Sequence, residues 1–314
     1  MNRKPDIVSL KWVIGLMNTQ VNNAEAALVE YGNNPEQKQA LLRCMWSVHQ
    51  VSSTLRAVGM KKGEMLTLEM ERALNFLYKD KLQGERRKLA MGGLMQALKV
   101  IPAYLEHTEN VRVDTGRGLE QFVNDLRRWV GEKPRPRAFF FYMDIPASAG
   151  ISTDAKKASD DEIKNRSNVM LALYLEMAKM ALRRKNVPEI IKTLALIARR
   201  MQTQFAGSEP ERFCFTMVGI SEGESGGLII PDECIAQIFK TGAFLIKYAR
   251  ENGSEIDSSV DYDGYLQQTL YYIASCRAKP VHISNIRNAF SIDDETIEAM
   301  AEHQTYLVPT MTHC

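Results

Sequence analysis

Apolar residues return at every third or fourth position along nearly the whole chain, the spacing of one buried stripe on an α-helix. Leu10, Val13, Ile14, Met17, Val21, Ala24, Leu28 and Tyr31 predict a first helix over about 6–32. Gly32-Asn33-Asn34-Pro35 stops it, and Pro35 suits the first turn of the next helix. Leu41, Cys44, Met45, Val48, Val51, Leu55 and Val58 mark a second helix over about 35–58, ended by Gly59. Leu66, Met70, Ala73, Leu74 and Leu77 mark a third over about 62–80. A fourth follows over about 84–108 on Met91, Leu94, Met95, Leu98, Ile101 and Leu105, with a kink expected at Pro102. Loops this short force antiparallel neighbours, so the unit reads as an up-down four-helix bundle, with a flanking fifth helix over about 115–130.

The pattern then breaks. Lys133-Pro-Arg-Pro-Arg137 cannot be helical, and Phe139-Phe140-Phe141-Tyr142 leads into Pro146 and a Ser/Ala/Gly stretch ending at Lys156-Lys157. This predicts a linker whose aromatic run tucks into a crevice between domains. Helical spacing resumes at about 160 and runs to 205, broken at Asn186-Val187-Pro188. Ile190, Ile191, Leu194, Ile197, Ala198 and Met201 line one stripe there. Ser208 is a candidate N-cap with Pro210 just inside the helix, and Glu222-Gly-Glu-Ser-Gly-Gly227 reads as a flexible loop. Two further stripes follow, one on Ile235, Ile238, Phe239, Leu245, Ile246 and Ala249, the other on Tyr265, Leu266, Thr269, Leu270, Ile273 and Ala274. The expected fold is all-α: two consecutive antiparallel helix bundles, at 1–131 and 159–314, joined by a Pro/aromatic linker at 132–158.

Composition narrows the functional classes. A 45% hydrophobic and 25% charged chain is that of a folded globular protein. Forty basic residues against 38 acidic ones leave no basic field for nucleic acid. The runs Arg86-Arg87-Lys88 and Arg183-Arg184-Lys185 read as solvated helix faces. No apolar stretch approaches the ~20 residues of a membrane span, and no signal-peptide core follows Met1. Cys44, Cys214, Cys234, Cys276 and Cys314 are odd in number and never paired as C-x-x-C, which suits reduced thiols in the cytoplasm, with Cys44 and Cys276 in core stripes. The abrupt end at Thr312-His313-Cys314 is that expected of one piece of a longer protein.

Candidate chemistry centres on His49. It falls ~130° around the second helix from the centre of its apolar stripe, mid-helix and on the exposed flank. An exposed imidazole can attack a phosphoryl group through a neutral ring nitrogen. Activation wants a carboxylate on the other nitrogen. Glu71 lies on the third helix about as far beyond the Gly59–Gly63 turn as His49 lies before it, so the two share a height in the bundle. Glu69 is a competitor for that role.

His49, Gly59 and the Met70-Glu71-x-x-Leu74 segment together resemble the histidine phosphotransfer (Hpt) domain of CheA-type chemosensory kinases. With Leu10-Lys-Trp-Val13 and Val48-His-Gln-Val51, the likeness is closer to the branch that controls type IV pili, made up of its large CheA-like kinase and the scaffold proteins related to it. The resemblance covers roughly residues 8–108; beyond it, only helical character and length are shared. It implies a histidine that takes phosphate from a kinase core and passes it to the aspartate of a response-regulator receiver domain. Ser52 and Ser53 stand where the family has Lys and Gly, removing a phosphate-binding cation and adding a side chain beside the site. Ser52, Ser53 and Arg56 form the expected partner-facing flank.

The weaker motifs carry less. Asp114-Thr-Gly-Arg-Gly118 fits a D-x-G-x-G box, but the sheet, Asn box and glycine-rich lid of a kinase ATP site are missing, and Asp114 reads as the N-cap of the fifth helix. His107, His282, His303 and His313 have no metal-ligand spacing. Glu255, Asp257, Asp261 and Asp263 read as carboxylates at a helix start.

The resulting expectation is a non-catalytic scaffold or adaptor with a degenerate phosphotransfer domain, in a chemosensory two-component pathway governing type IV pilus twitching motility. The alternative is a working phosphorelay intermediate with His49 as acceptor and Glu71 as its orienting carboxylate. The expected partners are receiver domains, a CheA-like kinase core or pole-organising scaffold proteins, without cofactor or metal. A dimer formed through the second bundle is compatible with either reading.

Overall fold

The computed structural model describes residues 5–116, 118–152, 158–183 and 188–294. The Lys156-Lys157 pair, the Asn186-Val187 break, Arg184, Lys185, His303, His313 and Cys314 lie outside the described residues. Among the described residues there are eleven α-helices and no strand, and no helix is long and apolar enough to cross a membrane. The chain divides into two compact units, the first running through Phe140 and the second starting at Phe141.

The first unit contains α1 (Ile7–Asn33), α2 (Lys38–Ala57), α3 (Lys61–Tyr78), α4 (Gly84–Val111) and α5 (Glu120–Trp129), followed by a 3-10 turn at Arg137–Phe140. Helix α1 packs on α2 and α4, and α3 packs on α2 and α4, which closes the four-helix ring; α5 lies across α3 and α4. The predicted stripes are its core: Leu10, Met17, Val21, Leu41, Cys44, Val48, Leu55, Leu66, Met70, Leu94, Leu98 and Leu105 are all buried. Asp6 starts α1 by accepting from the Ser9 backbone nitrogen at 3.0 Å. Pro35 does not enter α2 as expected. It sits in the turn before it, and the helix begins at Lys38. Helix α4 runs through Pro102 without interruption.

The α2–α3 turn is tight because of Gly59. Its φ of +76° is costly for a side-chain-bearing residue, and it lets the Met60 nitrogen reach back to the Leu55 carbonyl at 2.8 Å. Helix α3 then lacks a local side-chain cap. Asp114 supplies one from a distant part of the chain. Its Oδ2 accepts from the Lys62 nitrogen at 2.8 Å, and its Oδ1 accepts from the Tyr104 hydroxyl at 2.5 Å; that hydroxyl in turn accepts from the Gly63 nitrogen at 3.0 Å. Asp114 is therefore not the N-cap of the fifth helix, which begins six residues later at Glu120 behind Leu119.

Helix α5 is anchored by a buried ion pair and by a ring. Arg127 on α5 meets Glu69 on α3 at 2.6 Å, both almost fully buried, with Arg72 and Arg135 at 3.3 and 3.7 Å from the same carboxylate. The Trp129 ring lies against Gly93 so closely that an added Cβ would fall 1.7 Å from it.

The second unit contains α6 (Asp160–Leu182), α7 (Pro188–Gln204), α8 (Glu209–Ser225), α9 (Glu233–Asn252), α10 (Tyr262–Ser275) and α11 (Val281–Ala289). Helix α6 packs on α7 and α9, and α8 packs on α7, α10 and α11. Ser208 holds the N-cap position of α8 with proline in its first turn, and Asp261 caps α10 through the Gly264 nitrogen at 2.8 Å. The expected flexible loop at 222–227 is corrected: α8 continues to Ser225, and Glu222 accepts from the backbone nitrogens of His282 and Ile283 at 3.0 Å, capping α11. Cys276 is buried, as a core position should be, and ends α10 as its C-cap, where the chain leaves the helix in an extended conformation.

Candidate functional site

The Gly59 turn sets α2 and α3 in register, and His49 meets Glu71 as a result. The His49 Nδ1 and the Glu71 Oε1 are 3.1 Å apart, joining residues 22 apart in the chain. The histidine side chain is 62% exposed and the glutamate 28%, so the ring leans on its carboxylate from the solvent side. A carboxylate on Nδ1 holds the tautomer that leaves Nε2 as the neutral, nucleophilic nitrogen. Glu69, the competing carboxylate, faces the opposite way. It is 3% exposed, and Arg127 holds it in the core.

The flank expected to meet a partner is only partly at the surface. Ser53 and Arg56 are exposed, but Ser52 is 2% exposed, and its hydroxyl finds no hydrogen-bond partner among the described residues. The reason is rotational: Ser52 follows Val51 and precedes Leu55 by three residues, close enough to the apolar stripe for a small side chain to be drawn in. Arg56 is engaged nearby. Its Nε donates to Glu64 on α3 at 2.6 Å, and it feels the charge of Glu71 as well; this pairing, with Glu64 first, raises its pKa. The cation on this flank is therefore tied into a bridge across the α2–α3 turn. Trp46, one turn before His49, stands 64% exposed on the same helix, a feature the apolar-stripe reading passed over.

Elsewhere the described residues are built for packing. No group of three or more His, Cys, Asp or Glu side chains that could hold a metal ion comes together among them. Cys44, Cys214, Cys234 and Cys276 are buried thiols outside any disulfide, and burial pushes the Cys44 thiol up to about 12, which makes it a packing residue. Glu255, Asp257 and Asp263 serve structural bonds: Tyr248 donates to Glu255 at 3.3 Å, the Ser259 nitrogen to Asp257 at 2.8 Å, and Arg212 of α8 to Asp263 of α10 at 2.8 Å.

Over 223 residues the chain is 25% identical to the scaffold protein FimL of Pseudomonas aeruginosa, a match covering 70% of this chain and 39% of that protein. The chain thus spans about two fifths of the length of that curated relative. No family model matches it, and no solved structure matches it significantly.

Proposed function

We propose that this chain is a scaffold or adaptor module of a chemosensory two-component pathway acting on type IV pili, built on a degenerate phosphotransfer bundle. The observation that carries the reading is the state of the flank beside His49. The imidazole and its orienting carboxylate stand in place, but position 52 holds a buried serine, and the exposed Arg56 is bonded to Glu64. A phosphorylated histidine would need a cation free to neutralise it, and this flank offers one that is already engaged. The similarity to a protein named as a scaffold supports the same reading. The bundle then works by presenting surfaces to receiver domains, to a CheA-like kinase core or to pole-organising proteins, without chemistry of its own.

A second reading rests on the same 3.1 Å pair. Glu71 holds Nδ1, as a phospho-accepting histidine requires, and the ring is open to a partner. In that case His49 relays phosphate to a receiver aspartate.

The deciding experiment incubates the full chain with a CheA-type kinase core, ATP and a receiver domain, beside a working Hpt domain as control. The scaffold reading expects no label on the chain, and His49→Gln leaves partner binding and motility unchanged. Acid-labile phosphate that disappears in His49→Gln and moves to the receiver overturns it and establishes the relay.

A further inference from the structure

The α1–α2 face carries more apolar surface than folding explains. Trp12, Val8 and Leu16 on α1 are 83%, 73% and 57% exposed, and Trp46 and Leu42 on α2 are 64% and 39% exposed. Between the two helices runs an open groove of about 670 Å³, floored and walled by Gln20, Asn23 and Glu30 from α1 and by Gln39, Arg43 and Gln50 from α2. Trp12 and Leu16 continue the α1 side of that groove, since 12, 16, 20, 23 and 30 recur at the spacing of one helix face. The two indoles leave roughly 300–400 Å² in water and the five apolar side chains roughly 600–700 Å², the upper end of what a monomer exposes.

We propose that this face is the interface of a symmetric dimer, with a second copy of the chain as its occupant. Three features favour a copy of itself over another partner. The lining is self-complementary near its centre: Gln20, Asn23 and Gln50 carry carboxamides, each both donor and acceptor, so a two-fold axis beside them can pair like with like. Its charges are balanced, because the charged residues lining the groove are Glu30 and Arg43, which bond each other. A face of one sign would repel its copy; this one does not. Its extent also suffices. The apolar patch together with the amide groove approaches the roughly 800 Å² per partner that a stable interface buries.

The sequence order sets the geometry. Helices α1 and α2 run antiparallel, so the Val8-Trp12-Leu16 cluster lies toward one end of the face and Leu42 toward the other. A two-fold axis near Gln20 and Trp46 lays the first cluster of one copy over the second cluster of its partner. His49 does not line the groove, but it follows Trp46 by three residues and Leu42 by seven, so it stands at the rim of the same face. The contacts of the dimer come from the groove and the apolar patch, whichever role His49 has.

The test is sedimentation equilibrium on the full chain at concentrations on the order of 10–100 µM. The wild type is expected at twice the chain mass of 35.6 kDa. Trp12→Glu with Trp46→Glu is expected to give a monomer with an unchanged far-UV circular dichroism spectrum, since both side chains face solvent. Asn23→Arg sets like charges across the axis without removing apolar surface, and is expected to weaken the dimer at least tenfold. A monomeric wild type, or a dimer that survives both variants, overturns the proposal; survival would move the axis to another face.

Discussion

Asp114 accepts a hydrogen bond from the Lys62 backbone nitrogen at 2.8 Å, capping α3 from 52 residues further along the chain. The same carboxylate receives the Tyr104 hydroxyl, so two adjacent backbone nitrogens of the first turn of α3 and one buried phenol depend on it. Asp114→Ala leaves the Lys62 nitrogen and the Tyr104 hydroxyl without their acceptor. The expected loss is about 2–3 kcal/mol, combining a lost cap with a buried unmet donor. Urea unfolding of the wild type and variant measures it, and a difference under half a kilocalorie would show that the cap is dispensable.

The Glu69–Arg127 pair is 2.6 Å long, with side chains 3% and 5% exposed. Removing one partner leaves the other charge buried, so Glu69→Gln is expected to destabilise the first unit by about 3 kcal/mol. Replacing both, as Glu69→Leu with Arg127→Met, is expected to recover most of that loss. Denaturation of the single and double variants reads the difference directly. A double variant as weak as the single would assign the stability to the wider Arg72 and Arg135 contacts.

Gly93 sits where α4 and α5 touch, and Gly93→Ala would place a methyl group inside the Trp129 ring. The ring must swing out, loosening α5 at a cost of about 1–3 kcal/mol. With Trp12 and Trp46 both changed to Phe, Trp129 becomes the single indole of a chain that has three. Acrylamide quenching of that indole is expected to rise in the Gly93→Ala background; quenching that stays put would mean the helices part without releasing the ring.

In the second unit, Glu224 is 3% exposed, and neither carboxylate oxygen has a hydrogen-bond partner among the described residues; its charge is felt by the buried Tyr174 hydroxyl of α6. Burial pushes its carboxyl from 4.5 up to about 7. A carboxyl raised in the folded state holds its proton more tightly there than in the unfolded chain. Its contribution is therefore fullest below pH 4.5 and is lost as the pH climbs to about 7, a swing of about 3 kcal/mol. Glu224→Gln should match the wild type near pH 4 and exceed it by about that amount at pH 8. Equal stability at both pH values would show that the carboxylate is solvated when charged.

What could be read from residues alone divides by range. The pairing of His49 with Glu71 was legible because both helices have clear stripes and Gly59 fixes the turn between them. The choice between Glu69 and Glu71 was not, since Glu69 owes its burial to Arg127, which no local pattern connects to it. Asp114 was misplaced for the same reason: a carboxylate just before a helix resembles a local cap, and only the fold brings it to Lys62. Ser52 was misjudged for another reason. Rotation puts it at the border of the core, and a small hydroxyl can fall either way.

The remote cap and the Arg127 bridge also fix what can be inherited as a unit. A fragment ending with α4 would carry α3 with its first turn uncapped and Glu69 charged in a hollow where α5 had been. Gene fusion or duplication that moved the four-helix ring alone would leave both the α3 cap and the partner of Glu69 behind. The piece that these contacts tie together is five helices long and runs through Phe140.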